Sequence, residues 1–414
     1  MMKNIWRKYQ EIPFVLKMAV GFLLGIIVGL TFKTDAEVLK PFGTILIRLL
    51  SLIAVPVIFL TVVQAVNQMS ITQLGRIGWK LILYYAATTA AAVLIGLGLA
   101  LWFNPGAQLT LPNIHVEKPE TPHFADIILQ IIPDNMFQAF AAGDTMAIMF
   151  LAVIVGLAIS SMKFSTDQKM QEYGNLLDRF FTAFNEMLYK ILKGVLAYTP
   201  IGVFAIGANA FGHQGWGALY SLLTFIGVFY LGIFLLWTVV YSGFLKLSGT
   251  PVLNFFKQTK EAYTTAFFTS SSIASLPIAI NAAKKAGISE RTANFALPLG
   301  AIFNSDGGAL RMGVSIVFAA NVTNFQLSLS DFFIIILIGT LLSIGTAGVP
   351  AAGLVTLSAV LTMFGLPLEI VALIAGVDAI IGMGGTASNV IGDIVGAAVV
   401  DRSEQKQVQT SPAH

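Results

Sequence analysis

Cysteine is absent from the 414 residues, which excludes disulfides, thiolate nucleophiles and cysteine metal sites. Charge is scarce. Asp, Glu, Lys and Arg make up 11% of the chain, against roughly 25% in soluble domains. A soluble globular protein is ruled out on that ground. The net charge of +3 is spread over segment ends, so there is no basic surface for nucleic acid. The four histidines (His115, His123, His213 and His414) fall in expected loops or at the terminus, which argues against a histidine proton relay inside a membrane. No His-Glu-x-x-His or Gly-x-Ser-x-Gly motif is present, so nothing supports an intramembrane enzyme. A cleavable signal is also missing. The first apolar segment is long for a signal core and lacks a small-residue cleavage site, so it reads as a retained span.

Apolar sequence is what the chain does have: 56% of residues are hydrophobic and mean hydropathy is +0.80. A membrane span needs about 20 apolar residues. Hydropathy predicts spans over 14–32, 42–68, 79–103, 126–162, 184–210, 217–246, 291–321 and 367–400. Segment 126–162 is interrupted by Pro133 and Gly143 and is expected to form short helices. Two further apolar stretches, 252–286 and 331–366, are each broken by a polar tip: Thr269-Ser-Ser-Ser-Ile-Ala-Ser-Leu-Pro277 and Ser343-Ile-Gly-Thr-Ala-Gly-Val-Pro350. Broken backbone at membrane depth is tolerated only where protein or a cavity covers it. These stretches are therefore predicted to be re-entrant hairpins, and such paired breaks mark a secondary transporter's binding site. The 38 glycines suit close helix–helix approach in lipid. Basic residues at Lys3, Arg7, Lys8, Arg76, Lys80, Arg402 and Lys406 place both termini in the cytoplasm. The polar tail over 401–414 is expected to be disordered.

Two acid-bearing pairs stand in apolar helices. Asn304 and Asp306 are two apart beside Gly300, Gly307 and Gly308, and Asn389 and Asp393 are four apart on one helix face. Sodium needs oxygens from carboxylates, carboxamides and freed carbonyls, and an unwound helix supplies the last of these. One buried Asp is as readily a structural hydrogen-bonded residue. Two such pairs beside two broken hairpins favour cation sites. In span 79–103, Tyr85, Thr88 and Thr89 share a face and offer further oxygens. Gly382-Met-Gly-Gly-Thr-Ala387 matches a dinucleotide pattern, but no βαβ unit surrounds it. Asn321-Val-Thr323 matches a glycosylation sequon without an external-loop context.

These motifs carry a resemblance. The chain resembles the dicarboxylate/amino acid:cation symporter family, which includes glutamate transporters and archaeal aspartate transporter homologues. The likeness covers nearly the whole chain and is strongest in 269–277, 297–313, 343–353 and 378–393. The family's Asn-Met-Asp-Gly-Thr motif appears as Asn304-Ser-Asp-Gly-Gly308. The resemblance implies an all-α polytopic membrane protein with eight transmembrane helices, two re-entrant hairpins and a glutamate-transporter-like elevator fold. It also implies a homotrimer in the plasma membrane. Residues 1–68 and 126–210 would form a scaffold. Residues 79–103, 217–246, 252–286, 291–321, 331–366 and 367–400 would form a transport domain. One sodium site would use Gly300, Asn304, Asn389 and Asp393. A second would use Ile302, Ser343, Ile344 and Thr346, mostly through carbonyls. A third would use Tyr85, Thr88, Thr89, Asn304 and Asp306. Sodium is the expected coupling ion, with a proton as the alternative.

The substrate positions depart from the family. Ser271, Ser272, Thr386 and Asn389 retain carboxylate and polar ligands, and Val349 lies in the second tip with Gly353 just after it. The family's amino-group Asp is matched by Gly382, its side-chain-reading Arg by Gly385, and the Thr ending its motif by Gly308. Arg311 stands where relatives carry an aromatic residue. An Arg inside a membrane costs about 2.5 kcal/mol or more, so it needs an anionic partner. Three readings are open: a structural pair with Asp378, recognition of a substrate anion oriented by Asp378, or a snorkelling side chain. The expected function is sodium-coupled symport of a small organic anion, such as a dicarboxylate or keto acid without a critical ammonium. A neutral amino acid symporter and a passive anion conductance are the alternatives.

Overall fold

The computed structural model describes residues 14–67, 75–109, 132–346 and 352–410, and these are helical with short connections. That follows from composition, because a chain this apolar has no water to satisfy its backbone and must close its hydrogen bonds within helices. Helices α1 (Phe14–Phe32), α2 (Lys40–Asn67) and α3 (Gly75–Phe103) lead the fold, with a 3-10 turn over Lys33–Leu39 joining the first two. They are followed by α4 (Met136–Ala142), α5 (Thr145–Lys163), α6 (Gln168–Gln214) and α7 (Trp216–Leu235). A π turn, Leu236–Tyr241, then leads into α8 (Ser242–Ser248). The first hairpin is α9 (Val252–Thr269) and α10 (Ser272–Lys285). The span expected over 291–321 is two helices, α11 (Glu290–Phe303) and α12 (Asp306–Thr323). The second stretch with a broken centre is α13 (Leu329–Thr346) and α14 (Ala352–Met363), its tip lying outside the described residues. Helices α15 (Glu369–Ala375) and α16 (Asp378–Thr410) end the fold.

Among the described residues, five helical stretches are long and apolar enough to cross a membrane: Leu16–Gln64, which runs through α1 and α2, then Arg76–Phe103, Gln168–His213, Trp216–Ser248 and Asp378–Gln405. Helices α1, α2, α5 and α6 pack chiefly on one another, α3, α7 and α9 to α12 pack with α16, and the arms of the second hairpin, α13 and α14, lie between α2 and α12. Glycine makes the closest crossings. A Cβ at Gly21 or Gly25 would fall 2.6 Å from a backbone oxygen of α6, at Pro200 and Phe204. Small residues let backbones meet where no hydrophobic force between helices exists.

Two boundaries differ from expectation. Helix α6 begins at Gln168 rather than near 184, because the Asp167 carboxylate accepts from Lys169 N at 2.9 Å and caps it. The polar first turns lower hydropathy without opposing helix. The tail expected to be disordered from 401 is helical as far as Thr410. Its two acids, Asp401 and Glu404, are partnered. Asp401 accepts from Ser289 Oγ at 2.5 Å and Thr292 Oγ1 at 2.7 Å. Glu404 pairs with Arg76 Nη2 at 2.5 Å and Lys80 Nζ at 2.7 Å.

Candidate functional site

Helix α11 ends at Phe303 and α12 starts at Asp306, leaving Asn304 extended at φ −110° and ψ 124°. The break turns Asn304 and Asp306 into the space between α3, α7 and α16. Asp306 is fully buried. One oxygen, Oδ1, accepts from Thr89 Oγ1 at 2.8 Å and Thr88 Oγ1 at 3.2 Å. The other, Oδ2, accepts from Tyr241 Oη at 2.8 Å. Asn304 Nδ2 donates to Asp393 Oδ1 at 2.9 Å and to the Asn389 carbonyl at 3.3 Å. Its own oxygen, Oδ1, is buried without a partner. Asn389 Oδ1 accepts from Gly307 N at 2.8 Å, the first turn of α12 where a helix offers free N–H groups.

Gly300 makes this closeness possible. A Cβ there would lie 2.5 Å from the Asp393 carboxyl and 2.6 Å from the Tyr85 hydroxyl. Its carbonyl accepts from Asn304 N at 2.8 Å. Tyr85 Oη donates to the Ala296 carbonyl at 3.3 Å, so its hydroxyl faces α11 while Thr88 and Thr89 face Asp306. The expected first and third cation sets thus surround a single residue, Asn304. Ile302 is in the last turn of α11, and Ser343, Ile344 and Thr346 are in the last turn of α13, where carbonyls lack intrahelical donors. The two carboxylates have no cationic side chain beside them. Among the described residues, neither Asp306 nor Asp393 joins an ion pair. No group of three His, Cys, Asp or Glu is present there either. The donor set of carboxylate, carboxamide and hydroxyl oxygens fits a hard cation.

The substrate candidates lie on three elements. At the first tip Ser270 is left-handed, φ +49°. Ser271 caps α10 by accepting from Ala274 N at 3.2 Å, and Ser272 opens that helix. On α16, Asp378, Gly382, Gly385 and Asn389 follow one another at spacings near one turn, with Thr386 next to Gly385. Arg311 Nη1 forms an ion pair with Asp378 Oδ1. Gly353 packs on this guanidinium, since a Cβ there would overlap it. Val349 lies outside the described residues.

Several residues of the candidate site carried no sequence signal. Tyr241 is fully buried in an apolar span, and only the π turn that it ends aims its hydroxyl at Asp306. Trp237 Nε1 donates to Ser388 Oγ at 2.8 Å from the same turn. Such turns recur at functional sites. Ser305 Oγ lies 2.5 Å from where a Cβ of Gly308 would be, so a hydroxyl stands at the place where the family motif carries Thr. A cavity of about 340 Å³ opens on the opposite face of α16, lined by Tyr230, Trp237, Phe267 and Gly384 among others. It holds no charged group, and the ionisable chemistry lies on the α12 side.

The wider likeness agrees with these residues. The sodium:dicarboxylate symporter family matches residues 14–403. The proton/sodium-glutamate symport protein of Bacillus caldotenax is 29% identical, over 95% of each chain. The C4-dicarboxylate transport protein 2 of Mesorhizobium japonicum is 30% identical, over 96% of this chain and 91% of its own. The proton/glutamate-aspartate symporter of Escherichia coli is 31% identical, over 96% of this chain and 94% of its own. A match of this extent, on a chain whose broken helices gather two buried acids around one asparagine, has one meaning: the protein belongs to the sodium:dicarboxylate symporter family.

Proposed function

We propose that the chain is a sodium-coupled secondary symporter of a small organic anion, working as a homotrimer in the plasma membrane with cytoplasmic termini. The observation that carries this reading is the pair of buried carboxylates, Asp306 and Asp393, with no cationic side chain beside either among the described residues. An isolated buried charge is strongly unfavourable, so a mobile cation completes the site. Asn304 Oδ1, buried and unpartnered, supplies an oxygen between the two acids. Sodium bound there would draw Asn304, Asp306 and Asp393 together and favour the closed second hairpin. Coupling follows, because an ion shifts a conformational equilibrium only by its differential affinity for the two states.

The packing of α3, α7 and α9 to α12 around α16, apart from the bundle of α1, α2, α5 and α6, supports an elevator movement. Helices α1, α2, α5 and α6 would be the fixed scaffold. Helices α3, α7, both hairpins, α11, α12 and α16 would travel with the cargo.

The test is uptake into liposomes under a sodium gradient at equal pH. Asp393→Asn and Asp306→Asn are each expected to abolish sodium-dependent uptake. Unaltered uptake in either variant would remove that carboxylate from the site. A proton in place of sodium is the second reading, favoured by the names of the relatives. In that case a pH gradient alone would drive uptake. Counterflow of preloaded substrate separates both readings from a passive conductance, which shows no stimulation from the far side.

A further inference from the structure

We infer that Arg311 reads one carboxylate of the transported anion, and that this anion is a dicarboxylate without an ammonium group. The inference rests on the symporter reading above and narrows its substrate.

Arg311 is 7% exposed. That removes snorkelling, since the charged head does not reach water. Its pairing with Asp378 uses Nη1. Nε and Nη2 are both buried with no acceptor. Those two N–H groups lie along one edge of the planar guanidinium and point in parallel, the fork that matches a carboxylate. A purely structural pair would spend that fork on Asp378. Here Asp378 takes the remaining nitrogen and leaves the fork vacant. Buried donors without partners call for an explanation, and a ligand carboxylate supplies one.

The surroundings favour the same ligand. Gly382 is one turn on from Asp378 on α16, and no atom lies within 4 Å of where its Cβ would be. A Cβ at Gly385 would meet nothing nearer than 3.7 Å, and there only the Gly307 backbone. The floor beside Arg311 is therefore bare. Its one carboxylate, Asp378, is already engaged by the guanidinium. A ligand ammonium finds only an anion already neutralised by Arg311, whereas a carboxylate finds two aligned donors. Beyond the glycines stand the Asn389 carboxamide and Ser305, 3.4 Å apart, a polar end for a second carboxylate. Gly353, in the first turn of α14, lies directly on the guanidinium. The return arm of the second hairpin thus covers the reader and must lift for the anion to enter.

The experiment is calorimetric and thermal-shift binding to the purified full-length protein in sodium. The probes are succinate, glutarate, succinamate (the half-amide of succinate), L-aspartate (succinate with an added ammonium) and L-serine. A dicarboxylate is expected to bind at least tenfold tighter than L-aspartate and at least 100-fold tighter than succinamate. Arg311→Lys keeps the charge and loses the fork. It is expected to bind succinate no better than succinamate while keeping its stabilisation by sodium alone. The inference is overturned if the wild type binds succinamate as tightly as succinate, a comparison that needs no variant. It is equally overturned if Arg311→Lys keeps the wild-type preference. Sodium-dependent binding of L-serine alone would sink the dicarboxylate and leave the symporter standing. No stabilisation by sodium and no binding of any probe would sink both.

Discussion

Tyr241 and the two threonines grip opposite oxygens of Asp306, so the carboxylate cannot turn without losing a bond. Tyr241→Phe removes one donor from a fully buried acceptor, a change worth about 1–3 kcal/mol. It is expected to lower the unfolding midpoint and to weaken stabilisation by sodium, read by thermal shift with and without the ion. Gly300→Ala drives a methyl into Asp393 and Tyr85. Sodium is expected to lose its stabilising effect in that variant, while a fold that tolerates the methyl leaves the sodium response as in wild type. The sequence made Thr88, Thr89, Asn304, Asp306, Asn389 and Asp393 legible, because polar residues at one-turn spacing are conspicuous in apolar helices. Tyr241 and Ser305 were silent. A tyrosine in an apolar span looks like packing, and the π turn that redirects it has no compositional mark. Ser305 acquires meaning only because Gly308 leaves the space its hydroxyl fills.

Helix breaks were easier to read than helix ends. The polar tip at 269–277 and the acid-bearing motif at 304–308 announce interruptions, since a broken, polar run of backbone at membrane depth is tolerated only where protein or a cavity covers it. The C-terminal end of α16 was misread for a clear reason. Glu404 and Asp401 lower hydropathy, yet each is held by partners more than a hundred residues away in sequence, which no local window contains. Replacing Glu404 by Gln frees Arg76 and Lys80 together. Faster hydrogen exchange is expected over 400–410 and over the first turn of α3, with sodium binding unchanged. Equal exchange in the variant would mean that Asp401 alone anchors the end.

At the scale of the molecule, one place where the helices around α16 touch the α1–α6 bundle is the turn after α15, where Gly376 meets Phe22 of α1. A Cβ at Gly376 would lie 3.0 Å from Phe22 Cγ, near enough for a disulfide between cysteines at both positions. The chain has no native cysteine, so the background is clean. The double variant Phe22→Cys, Gly376→Cys is expected to lose uptake on oxidation and regain it on reduction. Uptake that survives a fully formed disulfide would rule out relative travel at this seam. The two unpaired acids also have an electrical consequence. Arg311 and Asp378 cancel, so the empty site carries two negative charges when Asp306 and Asp393 are ionised. Moving one charge through 100 mV is worth about 2.3 kcal/mol. Under the proposed elevator movement the return of the unloaded carrier would therefore itself be a current, one that a negative cell interior either hastens or holds back according to its direction.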